Sequence, residues 1–287
     1  MKHNIAYQGE PGANSLIACL EVHPDYEPMP CRTFEDAFQA VKEGQAKLAM
    51  IPIDNSVAGR VADIHHLMPA SNLSIIGEHF LPIHFQLLGL PGASLSDLKI
   101  VRSHVHALGQ CRKMIKAQNL SAIVAIDTAG AARELSETKD KTSSALATAL
   151  AGELYGLVPL LKNVEDEAHN TTRFVILSAE RQDAQAGNGP VMTSLVFRVR
   201  NVPAALYKAM GGFATNGVNM TKLESYQLEG QFSATQFYAD IEGHPEDRSV
   251  RLALEELAFF SSYTKILGTY PASPMRAKIA QRIADSH

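Results

Sequence analysis

Short apolar segments alternate with amphipathic ones over the first 180 residues, and this alternation is the feature that most constrains the fold of the chain. Strands are predicted at His3–Gln8, Lys47–Ile53, Lys99–Ser103, Ser121–Ile126 and Asn170–Ser178, with two more inside Leu73–Leu90. Helices are predicted at Gly12–Glu21, Phe34–Lys42, His106–Ala117 and Thr128–Ser136. Strand followed by helix, repeated in this way, predicts a mostly parallel α/β sheet, and the long apolar run in the middle predicts a crossover between two lobes.

A polar stretch with Gly and Pro, residues 179–190, is the best candidate for a linker. The region after it is predicted to follow the order β-α-β-β-α-β, which is the order of a ferredoxin-like unit. Its strands are predicted at Thr193–Arg200, Val218–Leu228, Phe232–Ile241 and Thr264–Tyr270, its helices at Pro203–Thr215 and Pro245–Tyr263, and a hairpin turn at Glu229–Gln231. The domains are therefore expected at residues 1–180 and 193–271, with a polar tail at 272–287.

Length and charge narrow the class of protein. A chain of 287 residues suits two domains, and a net charge of -4 without a basic tract argues against nucleic acid or an anionic membrane as a partner. No stretch approaches the roughly 20 apolar residues that span a bilayer, and no signal segment is recognisable, so a cytoplasmic location is expected. The three cysteines, Cys19, Cys31 and Cys111, form no CxxC pair, which argues against a disulfide framework or a zinc site.

Small and polar residues recur where a predicted strand ends and a helix begins. They lie at Gly9–Ser15, Asp54–Ser56, Ser103–His104 and Asp127–Thr128. Helix N-termini present free N–H groups, so several of them facing one cleft would bind an anion. The same residue types are needed for simple helix caps, and that alternative stays open for each one. Phosphate-binding loops of the GxxxxGK[ST] and GxGxxG types, GxSxG and HExxH are absent from the sequence.

One further segment, Asn170–Phe174, places two hydroxyls and an Arg before an apolar strand. Arg173 has the geometry to hold a carboxylate through two parallel hydrogen bonds, and Thr172 beside it can donate to a substrate hydroxyl. When this segment is taken alone, a strand that simply opens with Thr and a solvated Arg is the better interpretation.

These segments together resemble the prephenate dehydratase family, in order and over nearly the whole chain. Tyr7–Ser15 resembles its opening glycine loop, and Pro52–Gly59 resembles its P-I-E-N-S-x-x-G signature with Asp54 in place of Glu. Ser103–Cys111 resembles S-H-P-x-A-L-x-Q-C with Val105 in place of Pro, Asp127–Ala129 matches D-T-A, and Thr172–Phe174 matches T-R-F. The resemblance implies an α/β catalytic module with two lobes like those of periplasmic binding proteins.

The resemblance also implies an activity: conversion of prephenate to phenylpyruvate, CO2 and water, with no cofactor and no metal. It implies that Thr172, Arg173, Asn55 and Ser56 are catalytic, and that Ser103, Gln110, Thr128 and Phe174 bind substrate. Thr172 is the residue that the family ties most closely to catalysis, and its pKa is too high for a free acid, so it is expected to act through a hydrogen bond.

The second region resembles an ACT domain, which in this family binds L-phenylalanine and inhibits the enzyme. The family's G-A-L and E-S-R-P pieces read Ala204-Ala205-Leu206 and Glu224-Ser225-Tyr226-Gln227 here, and Asn219 precedes the second of them. The resemblance therefore implies a phenylalanine site at Ala204, Ala205, Leu206, Asn219, Glu224 and Ser225, and pairing of these domains in a homodimer or homotetramer. Three alternatives remain: an arogenate dehydratase, a non-catalytic binding protein for a small anion, and an amino-acid-responsive transcription regulator, against which the lack of a basic patch counts.

Overall fold

Strands and helices alternate along the chain much as the apolar pattern predicts. The structure is a computed structural model, and it describes residues 2–61, 64–200, 202–227 and 234–285. The strands before the linker are β1 (Asn4–Gln8), β2 (Glu27–Cys31), β3 (Leu48–Asn55), β4 (Gly59–Arg60), β5 (Ser74–Pro82), β6 (Gln86–Gly89), β7 (Ile100–Ser103), β8 (Ser121–Val124), β9 (Ser143–Ala147), β10 (Val158–Leu161) and β11 (Thr171–Ser178). The helices of this region are α1 (Asn14–Val22), α2 (Phe34–Lys42), α3 (Ile64–Ser71), α4 (Val105–Gln110), α5 (Arg112–Ala117), α6 (Thr128–Thr138) and α7 (Ala149–Leu154).

After the linker the observed order is β-α-β-β-α-β followed by a helix, as predicted for residues 193–271. The elements are β12 (Val191–Val199), α8 (Ala205–Thr215), β13 (Met220–Gln227), β14 (Ala234–Glu242), α9 (Arg248–Phe260), β15 (Ser261–Pro271) and α10 (Pro274–Asp285). The predicted turn at Glu229–Gln231 lies outside the described residues. β15 follows α9 directly, so the helix predicted to reach Tyr263 ends at Phe260.

The chain divides into two units, which do not coincide with the linker. Unit 1 contains Met1–Val61 and His79–Phe174, and unit 2 contains Ala62–Glu78 and Val175–His287. The strand order of the first sheet is β2-β1-β3-β11-β5 with β4 beside β3, and that of the second sheet is β10-β6-β9-β7-β8. In the third sheet the order is β13-β14-β12-β15.

The second sheet is mixed rather than mostly parallel. β1 is parallel to β2 and β3, and β7 is parallel to β8 and β9. β6, however, runs antiparallel to β9, and β10 runs antiparallel to β6. Only Ile83–Phe85 separates β5, in the first sheet, from β6, in the second, so no helix connects these two strands.

Helix α2 shows why the apolar spacing predicted some helices correctly. Thr33 and Asp36 form a reciprocal capping box with two hydrogen bonds of 3.1 Å, and the helix buries Ala37, Phe38 and Val41. By contrast, the helix predicted over His106–Ala117 is broken at Cys111 into α4 and α5. Strand β2 was not predicted, because Pro28 and Pro30 are typical of a loop rather than of a strand.

Unit 2 has its own core on one face of the third sheet. Leu195, Phe197 and Ala239 face the buried sides of α8 and α9, which contribute Phe213 and Leu257. The sheet is antiparallel throughout, with Leu195 opposite Ala239 on β14 and opposite Ile266 on β15. In the described ranges, no helix combines the length and the apolar character that crossing a bilayer requires.

Candidate active site

Asn55, at the end of β3, has a side-chain orientation that its neighbours determine. Its Oδ1 accepts hydrogen bonds from the backbone N–H groups of Val57 at 3.0 Å and Ala58 at 2.7 Å. A backbone N–H can only donate, so the oxygen must face these two groups and the NH2 must face away from them. The tight turn after β3 therefore directs a hydrogen-bond donor toward β11.

Three side-chain amides close into a ring around that donor. Asn55 Nδ2 donates to Asn170 Oδ1 at 2.8 Å, Asn170 Nδ2 donates to Gln110 Oε1 at 2.8 Å, and Gln110 Nε2 donates to Asn55 Oδ1 at 3.3 Å. We call Asn55, Gln110 and Asn170 the amide ring. Because the orientation of Asn55 is set by the backbone, the direction of every bond in the ring is set as well.

Thr172, the second residue of β11, lies against the amide ring. Its Oγ1 accepts a hydrogen bond from Asn55 Nδ2 at 3.0 Å. Within the described part of the chain, no side-chain hydrogen bond takes up the proton of this hydroxyl. Thr172 is half-buried, so the hydroxyl is held by an amide on one side and can donate to a ligand on the other.

Ser56 is close to the amide ring, but its hydroxyl is used by the backbone. Ser56 Oγ donates to the His169 carbonyl at 2.9 Å and accepts from the Thr171 N–H at 2.9 Å. The Ser56 N–H also donates to the Thr171 carbonyl at 2.9 Å. These bonds hold the end of β3 against the start of β11, which places Asn55 beside Thr172.

Arg173 is buried, with 6% of its surface exposed. Its Nη1 lies 3.9 Å from Asp54 Oδ2, the residue that stands where the family signature has Glu. A guanidinium with so little exposed surface is poorly placed to receive a substrate carboxylate through both of its edges.

The remaining predicted substrate residues are not part of the amide ring. Ser103 is fully buried and its Oγ donates to the Leu146 carbonyl at 2.6 Å, while Phe174 is 1% exposed and lies in the core. Thr128 is the first residue of α6, after Asp127, whose carboxylate accepts the Gly130 N–H at 2.6 Å. The structure brings Asn55, Gln110 and Thr172 together and leaves Ser103, Thr128 and Phe174 outside this cluster.

Two titratable groups near α4, Cys111 and His104, have shifted pKa values. Burial, together with the nearby carboxylates of Asp166 and Glu165, raises the pKa of the Cys111 thiol to about 12, so this cysteine is a neutral core residue. Burial, and secondarily His106, lowers the pKa of His104, against the opposing effect of Asp127. In the ranges that the structure describes, no three His, Cys, Asp or Glu side chains are grouped as metal ligands.

A cavity of about 520 Å³ lies in unit 1 between the loop after β1 and the first turns of α6. It is lined by residues of the glycine loop (Gly9–Pro11), of the end of β2 (Pro30–Thr33) and of α6 (Gly130–Glu134) rather than by the amide ring. Arg133 on α6 and Glu10 in the loop form an ion pair of 2.7 Å in this region. Two of the four recurring polar segments, Gly9–Ser15 and Asp127–Thr128, thus contribute lining residues to this cavity, whereas Asp54–Ser56 and Ser103–His104 do not.

The predicted phenylalanine residues lie at two places in unit 2. Ala204 is the N-cap of α8 with a positive φ of 61°, and Ala205 and Leu206 pack against the core of this unit. Asn219 is exposed before β13, and its carbonyl accepts the Glu242 N–H at 3.0 Å. Glu224 and Ser225 lie on β13, where Glu224 receives a hydrogen bond of 3.2 Å from Lys222 Nζ.

Asn170 is the site residue that the sequence reasoning missed. Its side chain is 2% exposed and completes the amide ring. The signal was its position: it opens the segment Asn170–Phe174 that was singled out for Thr172 and Arg173. Asn170 lies two residues before Thr172, so its amide would have been a reasonable candidate for a residue that contacts the Thr172 side chain.

Comparisons with known proteins show the family to which the chain is similar. The family model described as prephenate dehydratase matches residues 5–182. A protein of Komagataeibacter europaeus, described as a bifunctional N-acyl-homoserine lactone acylase/prephenate dehydratase, is 52% identical over 274 residues, which cover 96% of this chain and 98% of the relative. The chloroplastic arogenate dehydratase/prephenate dehydratase 1 of Arabidopsis thaliana is 36% identical over 96% of this chain and 74% of its own.

A solved structure is similar over almost the whole chain. Prephenate dehydratase of Arthrobacter aurescens, determined in complex with L-Phe, superposes with a TM-score of 0.86 at 29% identity and covers 99% of this chain and 98% of its own. The motif order, the amide ring beside Thr172 and these matches lead to one conclusion: the chain belongs to the prephenate dehydratase family.

Proposed function

We propose that this protein converts prephenate to phenylpyruvate, CO2 and water. The observation that carries the proposal is the hydrogen bond of 3.0 Å from Asn55 Nδ2 to Thr172 Oγ1, in a chain whose family is established. In this reaction the ring carboxylate leaves as CO2, its electron pair moves into the ring, and the hydroxyl at the opposite ring carbon departs with a proton as water. Aromatisation of the ring drives the step, so the protein must mainly orient the substrate and stabilise the departing oxygen.

Thr172 is assigned to the departing hydroxyl. Because Asn55 donates to Thr172 Oγ1, the threonine proton is directed away from the amide ring and toward bound substrate. The hydrogen bond from Thr172 strengthens as negative charge develops on the leaving oxygen, which lowers the barrier without requiring that Thr172 ionise.

The other predicted residues take supporting roles in this proposal. Gln110 and Asn170 orient Asn55, and Ser56 holds the two strand ends together. Arg173 fixes the first residues of β11 and its neighbour Asp54 from a buried position, in place of the substrate clamp that the sequence suggested. Ser103 and Phe174 support the sheets from the core, and Thr128 begins the helix beside the cavity.

The first experiment compares the two candidate substrates. Purified protein is incubated with prephenate or with arogenate in the presence of EDTA, and phenylpyruvate or phenylalanine is quantified. Faster turnover of prephenate is the expected result, and faster turnover of arogenate would assign the activity that the Arabidopsis relative also carries in its name. Turnover of neither substrate would favour the small-anion binding protein.

Variants at Thr172 test the assignment of the catalytic hydroxyl. Thr172→Val keeps the shape of the side chain but removes the hydroxyl, and we expect kcat to fall by about 100-fold or more. Thr172→Ser restores the hydroxyl and should recover most of the activity. A Thr172→Val enzyme that folds and turns over like the wild type would remove Thr172 from the mechanism.

For the C-terminal region we propose an ACT-type regulatory domain at residues 193–271, after a catalytic domain at residues 1–180 and before a tail at 272–287. The βαββαβ order and the sheet order β13-β14-β12-β15 support the ferredoxin-like assignment. The A. aurescens relative was solved with L-Phe, which supports L-phenylalanine as the effector. We propose that it lowers activity through a homodimer or homotetramer, and sedimentation with and without L-phenylalanine tests this assembly.

One relative suggests a second activity. The K. europaeus protein, 52% identical over nearly its whole length, carries N-acyl-homoserine lactone acylase in its description. Incubation with an N-acyl-homoserine lactone and quantification of the released homoserine lactone would decide whether this chain shares that activity, with Thr172→Val showing whether the same site serves both reactions.

A further inference from the structure

The turn Glu165–Glu167 consists of three consecutive acidic residues, and the side chain of the first one is buried. The Glu165 side chain is 5% exposed. It accepts a hydrogen bond of 3.0 Å from the Phe85 N–H and lies 2.6 Å from His84 Nδ1. The Val164 N–H also donates to the Phe85 carbonyl at 3.0 Å. The turn is therefore anchored to the start of β6.

Asp166, the next residue, contacts the junction between α4 and α5 through its backbone and through its carboxylate. Its backbone N–H donates to the Gln110 carbonyl at 2.6 Å. Its carboxylate accepts the Lys113 N–H, with oxygen distances of 3.1 and 3.3 Å. Asp166 thus holds the last residue of α4 and the first turn of α5 at the same time.

The helix break at Cys111 explains why that support is needed. Cys111 is the N-cap of α5 and makes no side-chain hydrogen bond to the helix, because it is a buried thiol. The free N–H groups of the first turn need acceptors, and Asp166 supplies one from a distant part of the sequence. Its negative charge also suits a helix N-terminus.

The residue held in this way is Gln110, a member of the amide ring. Gln110 bonds to both Asn55 and Asn170 through its side chain, so a displacement of its backbone would disturb the ring beside Thr172. The same turn is connected to the ring at its other end, since the Asn170 N–H donates to the Glu167 carbonyl at 3.2 Å.

We infer that Asp166 is a positioning residue for the dehydration: it acts through Gln110 and touches no substrate itself. The kinetic test of this inference rests on the proposed function. Asp166→Ala keeps the backbone bond to the Gln110 carbonyl but removes the acceptor of the Lys113 N–H, which releases the junction between α4 and α5 that carries Gln110. We expect kcat to fall by about tenfold while KM changes by less than about twofold, because the amide ring is misplaced rather than removed. Asp166→Asn, which keeps an oxygen acceptor for Lys113, should restore kcat.

The decisive experiment is a double-mutant cycle with Gln110→Ala. If Asp166 acts through Gln110, adding Asp166→Ala to Gln110→Ala should lower kcat no further. A loss that adds in full to that of Gln110→Ala would overturn the inference, as would an unchanged kcat in Asp166→Ala. The matched control is Asp140→Ala, since Asp140 also accepts a backbone N–H, that of Thr142 at 2.9 Å, but at an exposed turn. It should lower stability and leave kcat unchanged.

A second measurement needs no substrate. In a ¹⁵N-labelled full-length protein, the side-chain amide signal of Gln110 is assigned by its loss in Gln110→Ala. It should shift in Asp166→Ala and stay in place in Asp140→Ala. An unshifted signal would contradict the inference even if the wild type dehydrated neither substrate, and a wild type without turnover would by itself refute only the proposed function.

Discussion

At the scale of single residues, the amide ring brings together side chains from separate family motifs. Asn55, Gln110 and Thr172 were predicted from separate motifs, and the structure places their side chains in contact. Their mutual orientation could not be predicted, because it follows from two backbone N–H groups after β3 and from Asn170. Ser103 and Phe174, which were predicted to bind substrate, are buried outside the amide ring, and a motif alone does not show which side of a strand faces the core.

Asn55→Asp tests the direction of the bonds in the ring. The substitution keeps the shape but replaces the donor to Thr172 and Asn170 with a second oxygen, so we expect kcat to fall by about 100-fold with the fold intact. Asn163→Asp is the matched control, because the side-chain hydrogen bond that Asn163 makes among the described residues uses its oxygen, which accepts from Gln86 Nε2 at 3.1 Å. Equal activity of the two variants, measured with the preferred substrate, would contradict the assigned orientation.

Ala204 occupies a position where the family pattern has Gly, and the backbone shows the consequence. Its φ of 61° lies in the left-handed region, which costs a non-glycine residue about 1–2 kcal/mol. Ala204→Gly removes this strain, but glycine also has more entropy in the unfolded chain, which offsets part of the gain. We therefore expect a net stabilisation of about 0.5–1 kcal/mol. The neighbouring Ala205→Gly, at the first residue of α8, should instead destabilise, because it removes a methyl group that packs against the core of this unit. Urea unfolding of both variants measures the difference, and a destabilised Ala204→Gly would refute the argument.

At the scale of elements, the sequence pattern predicted most strands and helices before the linker, and the failures have physical reasons. α2 was found with its observed bounds because its cap and its apolar face agree. The single helix expected at His106–Ala117 was wrong, because the support for the break comes from Asp166, which no local pattern can reveal. β9, Ser143–Ala147, was missed because two serines open a fully buried strand.

The loop after β1 contains a glycine, Gly12, whose backbone conformation and close neighbours both disfavour a side chain. Gly12 has a φ of +94°, and a Cβ there would lie 2.7 Å from Ala151 Cα on α7. The Gly12 carbonyl also accepts a hydrogen bond of 2.6 Å from Thr148 Oγ1. A side chain at this position would therefore force the loop away from α7.

We expect Gly12→Ala to cost about 3 kcal/mol of unfolding free energy, from backbone strain and overpacking together. Gly44→Ala is the control, because Gly44 has a φ of +73° with open space around its Cα. It should cost only the strain, about 1 kcal/mol. Denaturant unfolding of the two variants separates these contributions. Equal losses of unfolding free energy would show that the structure accommodates a side chain next to Ala151 without destabilisation.

At the scale of the whole molecule, the division into two units differs from the division that the linker suggests. Ala62–Glu78, far upstream of the linker, belongs to unit 2. Within this unit the Glu78 carboxylate, with no exposed side-chain surface, receives Arg276 Nε at 2.6 Å and Nη2 at 2.8 Å. Lys265 Nζ donates to the Pro69 carbonyl at 2.9 Å, and a Cβ on Gly268 would overlap the Ile75 carbonyl.

These contacts predict that the C-terminal region depends on the upstream segment for its stability. A fragment of residues 179–287 retains β12–β15 and their apolar core but loses the partner of Arg276 and the backbone against Gly268. Breaking a buried ion pair by removing one partner costs about 3–5 kcal/mol, which is a large share of the stability of a domain of this size.

The fragment should therefore unfold at a lower urea concentration than the same region in the intact chain, followed by near-ultraviolet circular dichroism. Adding a peptide of residues 64–78 should raise its midpoint, whereas the same peptide with Glu78→Ala should raise it less, because the ion pair to Arg276 is then absent. A fragment that unfolds cooperatively at the midpoint of the intact chain, indifferent to the peptide, would show that residues 179–287 are stable alone and that the linker is the true boundary between two independent domains.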